Sequence, residues 1–195
     1  MKRIYKYLLW TTASVVILAI GYYMFATAAL SGAFDKHYSA DEAIQNYNDK
    51  EKEILDLADY LRRHRPVNHE VFFGTKKGRF NLSIGLPGWA VMQKFQNRHG
   101  SNLKLKTVEA DTLLSEIGWT SKTVMELTEK LKKANCLSIT SNENTIDVQY
   151  RTGTWSSYSY IVFDKPISDS LKKVYYEAKI TMLRDNVKLA TSDAL

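Results

Sequence analysis

The chain has 195 residues and a formal charge of +6, from 27 basic and 21 acidic side chains, with one cysteine. A single cysteine excludes an internal disulfide, so the fold must hold by packing alone. Three of the basic groups, Lys2, Arg3 and Lys6, sit at the N-terminus, and the remainder carries a net of only +3, ordinary for a soluble surface and too even for a nucleic-acid partner.

From Tyr7 to Phe34 there is no charged residue. About 20 apolar residues cross a hydrocarbon core of roughly 30 Å, so residues 7–30 read as a transmembrane anchor. Lys2, Arg3 and Lys6 place the N-terminus in the cytoplasm and everything after about Ser31 outside. The run is longer than the roughly 7–15 residues of a signal-peptide core, which favours an uncleaved anchor. The alternative is cleavage near Ala26-Thr27-Ala28, leaving a secreted or periplasmic domain. The chain thus divides into a cytoplasmic tail (1–6), an anchor (7–30), a juxtamembrane segment with a long helix (31–66) and an extracytoplasmic domain (67–195).

Ser39 with Glu42 forms a capping box that opens a helix over Ala40–Arg63, with Ile44, Tyr47, Ile54, Leu57, Ala58 and Leu61 at helical spacing and Pro66 past its end. Extended runs follow at Glu70–Phe73 and Arg79–Ile84, joined by Gly74–Gly78. Trp89, Met92 and Phe95 predict a short helix stopped near Gly100, and alternation predicts a strand over Leu103–Val108. Asp111 is placed as the cap of a helix ending at Gly118, and Thr120 or Ser121 as the cap of a second, whose Val124, Leu127, Leu131 and Ala134 share a face. On that helix, Glu126–Lys130 and Glu129–Lys133 are acid-before-base pairs at i,i+4.

The stretch around Ile139, then Ile146–Tyr150 and Tyr158–Phe163, reads as a three-stranded antiparallel meander. Ser168 or Asp169 caps a further short helix. Lys179–Arg184 and Val187–Ala190 flank Asp185-Asn186 as a closing hairpin. Strands in runs with helices between the runs predict an α+β fold: an N-terminal transmembrane helix, then a small domain with an antiparallel sheet packed by helices.

No chemical motif stands out. His37, His64, His69 and His99 lack metal-ligand spacing, so no metal and no cofactor is expected. His69 and Glu70 at a strand mouth, or Cys136 as a nucleophile, are the residues an anchored hydrolase would use. Neighbours on a strand point to opposite faces, however, and Cys136 reads better as a small buried hydrophobe. Two surface features remain as binding candidates. Arg62 and Arg63, in the basic run through Arg65, suit either a helix C-terminus or an anionic envelope polymer. Trp155, Tyr158 and Tyr160, with Tyr150, form either an aromatic binding face or a cross-strand ladder. The sequence therefore predicts a single-pass membrane protein presenting a non-enzymatic binding module. Immunity or inhibitor proteins and accessory subunits of envelope complexes are of this kind, and the partner is a protein or an anionic polymer.

Overall fold

The computed structural model describes residues 2–30, 38–67, 69–85, 98–152 and 156–193, with side chains at all of these except 2–9, 11–13, 29, 30, 98, 99, 192 and 193. The predicted helix around Trp89–Phe95 lies outside the described residues.

The first element is one helix, α1 (Lys2–Leu30). Within it Ser14 Oγ donates to the Trp10 carbonyl at 2.9 Å, one turn back, which satisfies the hydroxyl inside an apolar helix. Among the described residues no helix is long and apolar enough to cross a membrane. The anchor therefore rests on the sequence argument.

Helix α2 (Ala40–His64) begins where predicted. Ser39 Oγ accepts from the Glu42 amide at 3.1 Å, and the Glu42 carboxylate accepts from the Ser39 amide at 3.3 Å. Its axis breaks at Lys50, whose backbone (φ −128°, ψ 19°) leaves the helical region. The break falls in the charged run Asp49–Glu53, where no apolar side chain ties the turn to the core. On either side of it Tyr47, Ile54, Leu57, Ala58 and Leu61 are buried, as their spacing predicts, while Ile44 is half-buried and the neighbouring Ala43 takes the inner position.

Strands β1 (Glu70–Lys76) and β2 (Arg79–Gly85) form a hairpin with register Phe73↔Leu82 and Lys76↔Arg79. The expected five-residue connection is in fact a two-residue turn. Lys77 (φ 50°) and Gly78 (φ 73°) are both left-handed, the conformation whose twist matches the flanking strands. Strand β3 (Arg98–Leu103) ends where the sequence reading began a strand. Residues 104–107 are instead a turn, with Lys106 at φ 65°, and Thr107, not Asp111, caps α3 (Val108–Glu116). Gly118 (φ 67°) ends that helix as predicted. Thr120 caps α4 (Ser121–Lys133).

Strands β4 (Ser138–Ser141), β5 (Thr145–Thr152) and β6 (Ser156–Phe163) make the predicted meander. Ser168 caps α5 (Asp169–Glu177), and β7 (Met182–Arg184) and β8 (Val187–Asp193) close the chain as a hairpin. The fold is α+β, with a wholly antiparallel sheet of eight described strands in the order β3-β2-β1-β4-β5-β6-β8-β7.

One row runs across six of these strands: Leu82, Phe73, Ile139, Val148, Tyr160 and Leu189 are successive register partners, and all are buried. Helix α2 lies over β4, β5, β6 and β8 on this side, with α4 beside it and α3 against β3. The adjacent row on the reverse face, Phe72, Thr140, Asp147, Ile161 and Lys188, is only half-buried. Burial nonetheless pushes the Asp147 carboxyl up, against a hydrogen bond from Ser159 and the nearby Lys188 charge.

Of the two predicted pairs on α4, Lys133 and Glu129 meet at 2.7 Å. Lys130 turns away from Glu126 to pair with Asp56 on α2, and Glu126 faces Lys122 at 3.8 Å. A cation between two packed helices finds its counter-charge on the neighbouring helix, a choice the single-helix pattern does not contain.

Candidate functional site

A cleft of ≈ 660 Å³ opens between the tip of the β1–β2 hairpin, the turn after β3, the outer side of α4 and the Cys136-Leu137 link. That volume falls in the range of small-molecule sites, roughly 300–1,000 Å³. Its floor is apolar: Phe80 and Val124 are buried, Leu105 is half-buried, and Met125 stands 61% exposed. Helix α4 brings Met125, Thr128, Glu129 and Lys132 into the same wall, because positions three, four and seven apart share a helical face.

The rim is cationic, with Lys77, Arg79 and Lys132. Arg79 Nη1 donates to the Asn102 carbonyl at 3.3 Å. Neither Lys77 nor Lys132 enters an ion pair among the described residues. The one carboxylate in the lining among the described residues, Glu129, is already held by Lys133. Lys77 and Arg79 also border a neighbouring depression of ≈ 440 Å³ with Lys76, Asn81, Ser101 and Asn102. The tight turn at Lys77-Gly78 is what gathers these charges at one point.

A further cavity of ≈ 510 Å³ lies between α5 and the β7–β8 hairpin. Its cations are spoken for: Lys172 pairs with Asp185 at 2.9 Å and Arg184 with Glu51 at 2.6 Å. Free charge over an apolar floor therefore singles out the first cleft.

The cleft lies at the end of the sheet where α2 begins. Asn46, near the start of α2, donates to the Ala134 carbonyl at 3.4 Å and accepts from Asn135 Nδ2 at 2.8 Å, just past the end of α4. Tyr38 packs edge-on to Tyr150, with ring centroids 6.5 Å apart, and Arg151 donates to the Asn135 carbonyl at 3.0 Å. The Leu137 carbonyl then accepts from the Thr75 amide at 3.3 Å, reaching the β1–β2 hairpin.

The residues singled out from sequence fall elsewhere. Arg62 and Arg63 sit at the far end of α2, about 30 Å along its axis from Ala40. Arg62 is shared between Asp59 and Asp164, with Nε 2.8 Å from the latter. Arg65 donates to the Asn142 and Glu143 carbonyls at 2.8 and 3.0 Å. Arg63 is exposed. The run therefore fastens α2 to the β4–β5 turn and to the residue after β6, and only Arg63 is left to meet an envelope polymer. Trp155 lies outside the described residues. Tyr158 and Tyr160 are core residues, with Tyr160 fully buried against Tyr47 and Tyr150. Both therefore face the core and not a partner, and Tyr160 packs across strands on Tyr150.

Of the hydrolase residues, Cys136 lies apart from His69 and Glu70. His69 Nδ1 lies 3.0 Å from the Val67 carbonyl oxygen, and Glu70 is buried at the start of β1. Cys136 lies beside the other end of that strand, since Thr75 bonds Leu137. Five residues of strand separate Glu70 from Thr75, about 17 Å at the usual rise. Among the described residues no three His, Cys, Asp or Glu side chains gather as metal ligands.

Cys136 is buried, donates to the Ala134 carbonyl at 3.3 Å, and its thiol is pushed up to about 12 by desolvation. The folded state thus holds its proton where the unfolded chain, with a thiol near 9, has lost it. Stability from this group is complete below pH 9 and falls as pH rises from 9 towards 12. Alkylation by iodoacetamide at pH 8 is expected to be at least about a hundredfold slower in the native protein than in urea. Equal rates would show an accessible thiolate.

No protein-family model, curated protein or solved structure matches the chain.

Proposed function

We propose that this chain is a single-pass membrane protein whose small extracytoplasmic α+β domain is a non-enzymatic binding module acting at the membrane surface. The observation that carries this reading is the basic-rimmed apolar cleft, sited at the end of the domain where α2 begins. The uncharged run from Tyr7 to Phe34, with Lys2, Arg3 and Lys6 before it, supports the anchor and its direction. The separation of Glu70 from Cys136 along β1 favours the binding module over a hydrolase that would use those two residues together.

Alkaline phosphatase fused after Leu195 is expected to be active, a green fluorescent protein fused there to be dark, and the chain to stay in the membrane pellet through carbonate extraction. A fluorescent, carbonate-soluble fusion would overturn the anchored topology and the reading with it.

A further inference from the structure

We infer that the cleft takes an anionic phospholipid from the membrane that α1 enters, with the headgroup phosphate among Lys77, Arg79 and Lys132 and an acyl chain along Phe80, Leu105 and Met125. This inference rests on the anchored reading above and adds the ligand.

The chemistry has two parts, and the cleft supplies both. Two ammonium groups and a guanidinium converge at the rim, and neither lysine has a counter-ion among the described residues. The only lining carboxylate among the described residues, Glu129, pairs with Lys133 at 2.7 Å. A bound anion would complete this rim, and a neutral or cationic headgroup would not. Below the rim the lining turns apolar, and among the described residues it offers no exposed aromatic ring for stacking a base or a sugar, since Phe80 is 4% exposed. An unbranched chain suits such a floor. Met125, flexible and largely exposed, is the residue type that adapts to an apolar ligand of variable shape.

Position favours a lipid over a soluble partner. The contacts from Tyr38 through Tyr150, Arg151, Asn135 and Leu137 to Thr75 place the hairpin tip at the end of the domain where α2 begins. Between Leu30 and Ala40 the chain reaches at most about 35 Å even when fully extended, so this end stays near the bilayer. The tether allows the basic rim to come within a Debye length of the surface, roughly 8–10 Å, where anionic headgroups attract it, and Lys76, Lys104 and Lys106 add to the charge on this side.

The test uses the full chain in nanodiscs containing phosphatidylglycerol or phosphatidylcholine that carries a photoreactive diazirine in its acyl chain. Labelled peptides are mapped by mass spectrometry. Phosphatidylglycerol is expected to label peptides containing Leu105 and Met125 at least about fivefold more than phosphatidylcholine does. Lys77→Glu with Lys132→Glu is expected to cut that labelling about tenfold without changing the label on α1. Met125→Asp, which leaves the rim intact, is expected to reduce it as well.

Label on α1 with none in the cleft would overturn the lipid assignment alone, leaving the cleft to an acidic peptide of a partner protein. Equal cleft labelling by both lipids would overturn the headgroup assignment. Absence of label from α1 would overturn the anchored reading and this inference together.

Discussion

Replacing Tyr160 with alanine is expected to lower the stability of the domain by about 4 kcal/mol. The side chain is fully buried in the middle of the sheet, packed on Tyr47 at 5.5 Å and Tyr150 at 6.1 Å between ring centroids. Its hydroxyl donates to the Ala43 carbonyl at 2.8 Å and accepts from Asn46 Nδ2 at 3.0 Å. Tyr160→Phe separates the two contributions. It keeps the ring and leaves a carbonyl and an amide without that oxygen, a loss of about 1–3 kcal/mol.

Thermal unfolding of the full chain in mild detergent would show Tyr160→Ala some 10 °C below the wild type, on the usual scale of about 2–4 °C per kcal/mol for a chain of this size. Hydrogen exchange gives the sharper reading. With Tyr160→Phe, the amides around Ala43–Tyr47 should exchange faster while those of β5 hold. If both substitutions melt with the wild type, the network does not bind α2 to the sheet.

Trp119→Ala is expected to cost about 3–5 kcal/mol, for a related reason in a different place. Trp119 is buried between α3 and α4, edge-on to Phe73 at 6.2 Å, and its indole N–H donates to the His64 carbonyl at 2.7 Å. It therefore satisfies an orphan carbonyl at the end of α2 while filling the gap between that end and the sheet. Trp119→Phe should cost less, about 1–2 kcal/mol, because water reaches the partly buried His64 carbonyl once the indole is gone. Urea unfolding of both variants measures the difference. An alanine variant within about 1 kcal/mol of the phenylalanine variant would mean that packing at this corner contributes little.

Much of this fold is legible in the residue pattern, and the exceptions have physical causes. The β4–β6 meander is readable because Ile146, Val148 and Tyr150 alternate with polar residues on a sheet whose two faces differ. Helix α2 is readable because its cap and its stripe agree. The β1–β2 turn is not, because lysine seldom adopts positive φ and Lys77-Gly78 lacks the asparagine or aspartate that marks such turns. The segment 103–108 alternates like a strand, yet Thr107 turns it into a helix start, a competition that short alternation cannot settle.

The cleft is less legible still. It draws on residues 75–80, 105, 124–132 and 136–137, four separate stretches, and each taken alone reads as an ordinary surface. The aromatic residues around the β5–β6 turn stand out as a group, although strand alternation already sends Tyr158 and Tyr160 to the inner face. Only the sheet register, with Val148 opposite Tyr160, shows which face that is.

The bonds from Asn46 and Ala43 to Tyr160 join positions 114 and 117 residues apart. Most neighbouring strands, by contrast, follow one another closely along the chain. Local pairings form early because they close short loops, whereas a contact across more than half the polypeptide waits for a far larger loop to close. Helix α2 is thus made before the strand that holds it and locked late: it emerges from the ribosome ahead of its mate and is clasped only after β6 has joined the sheet.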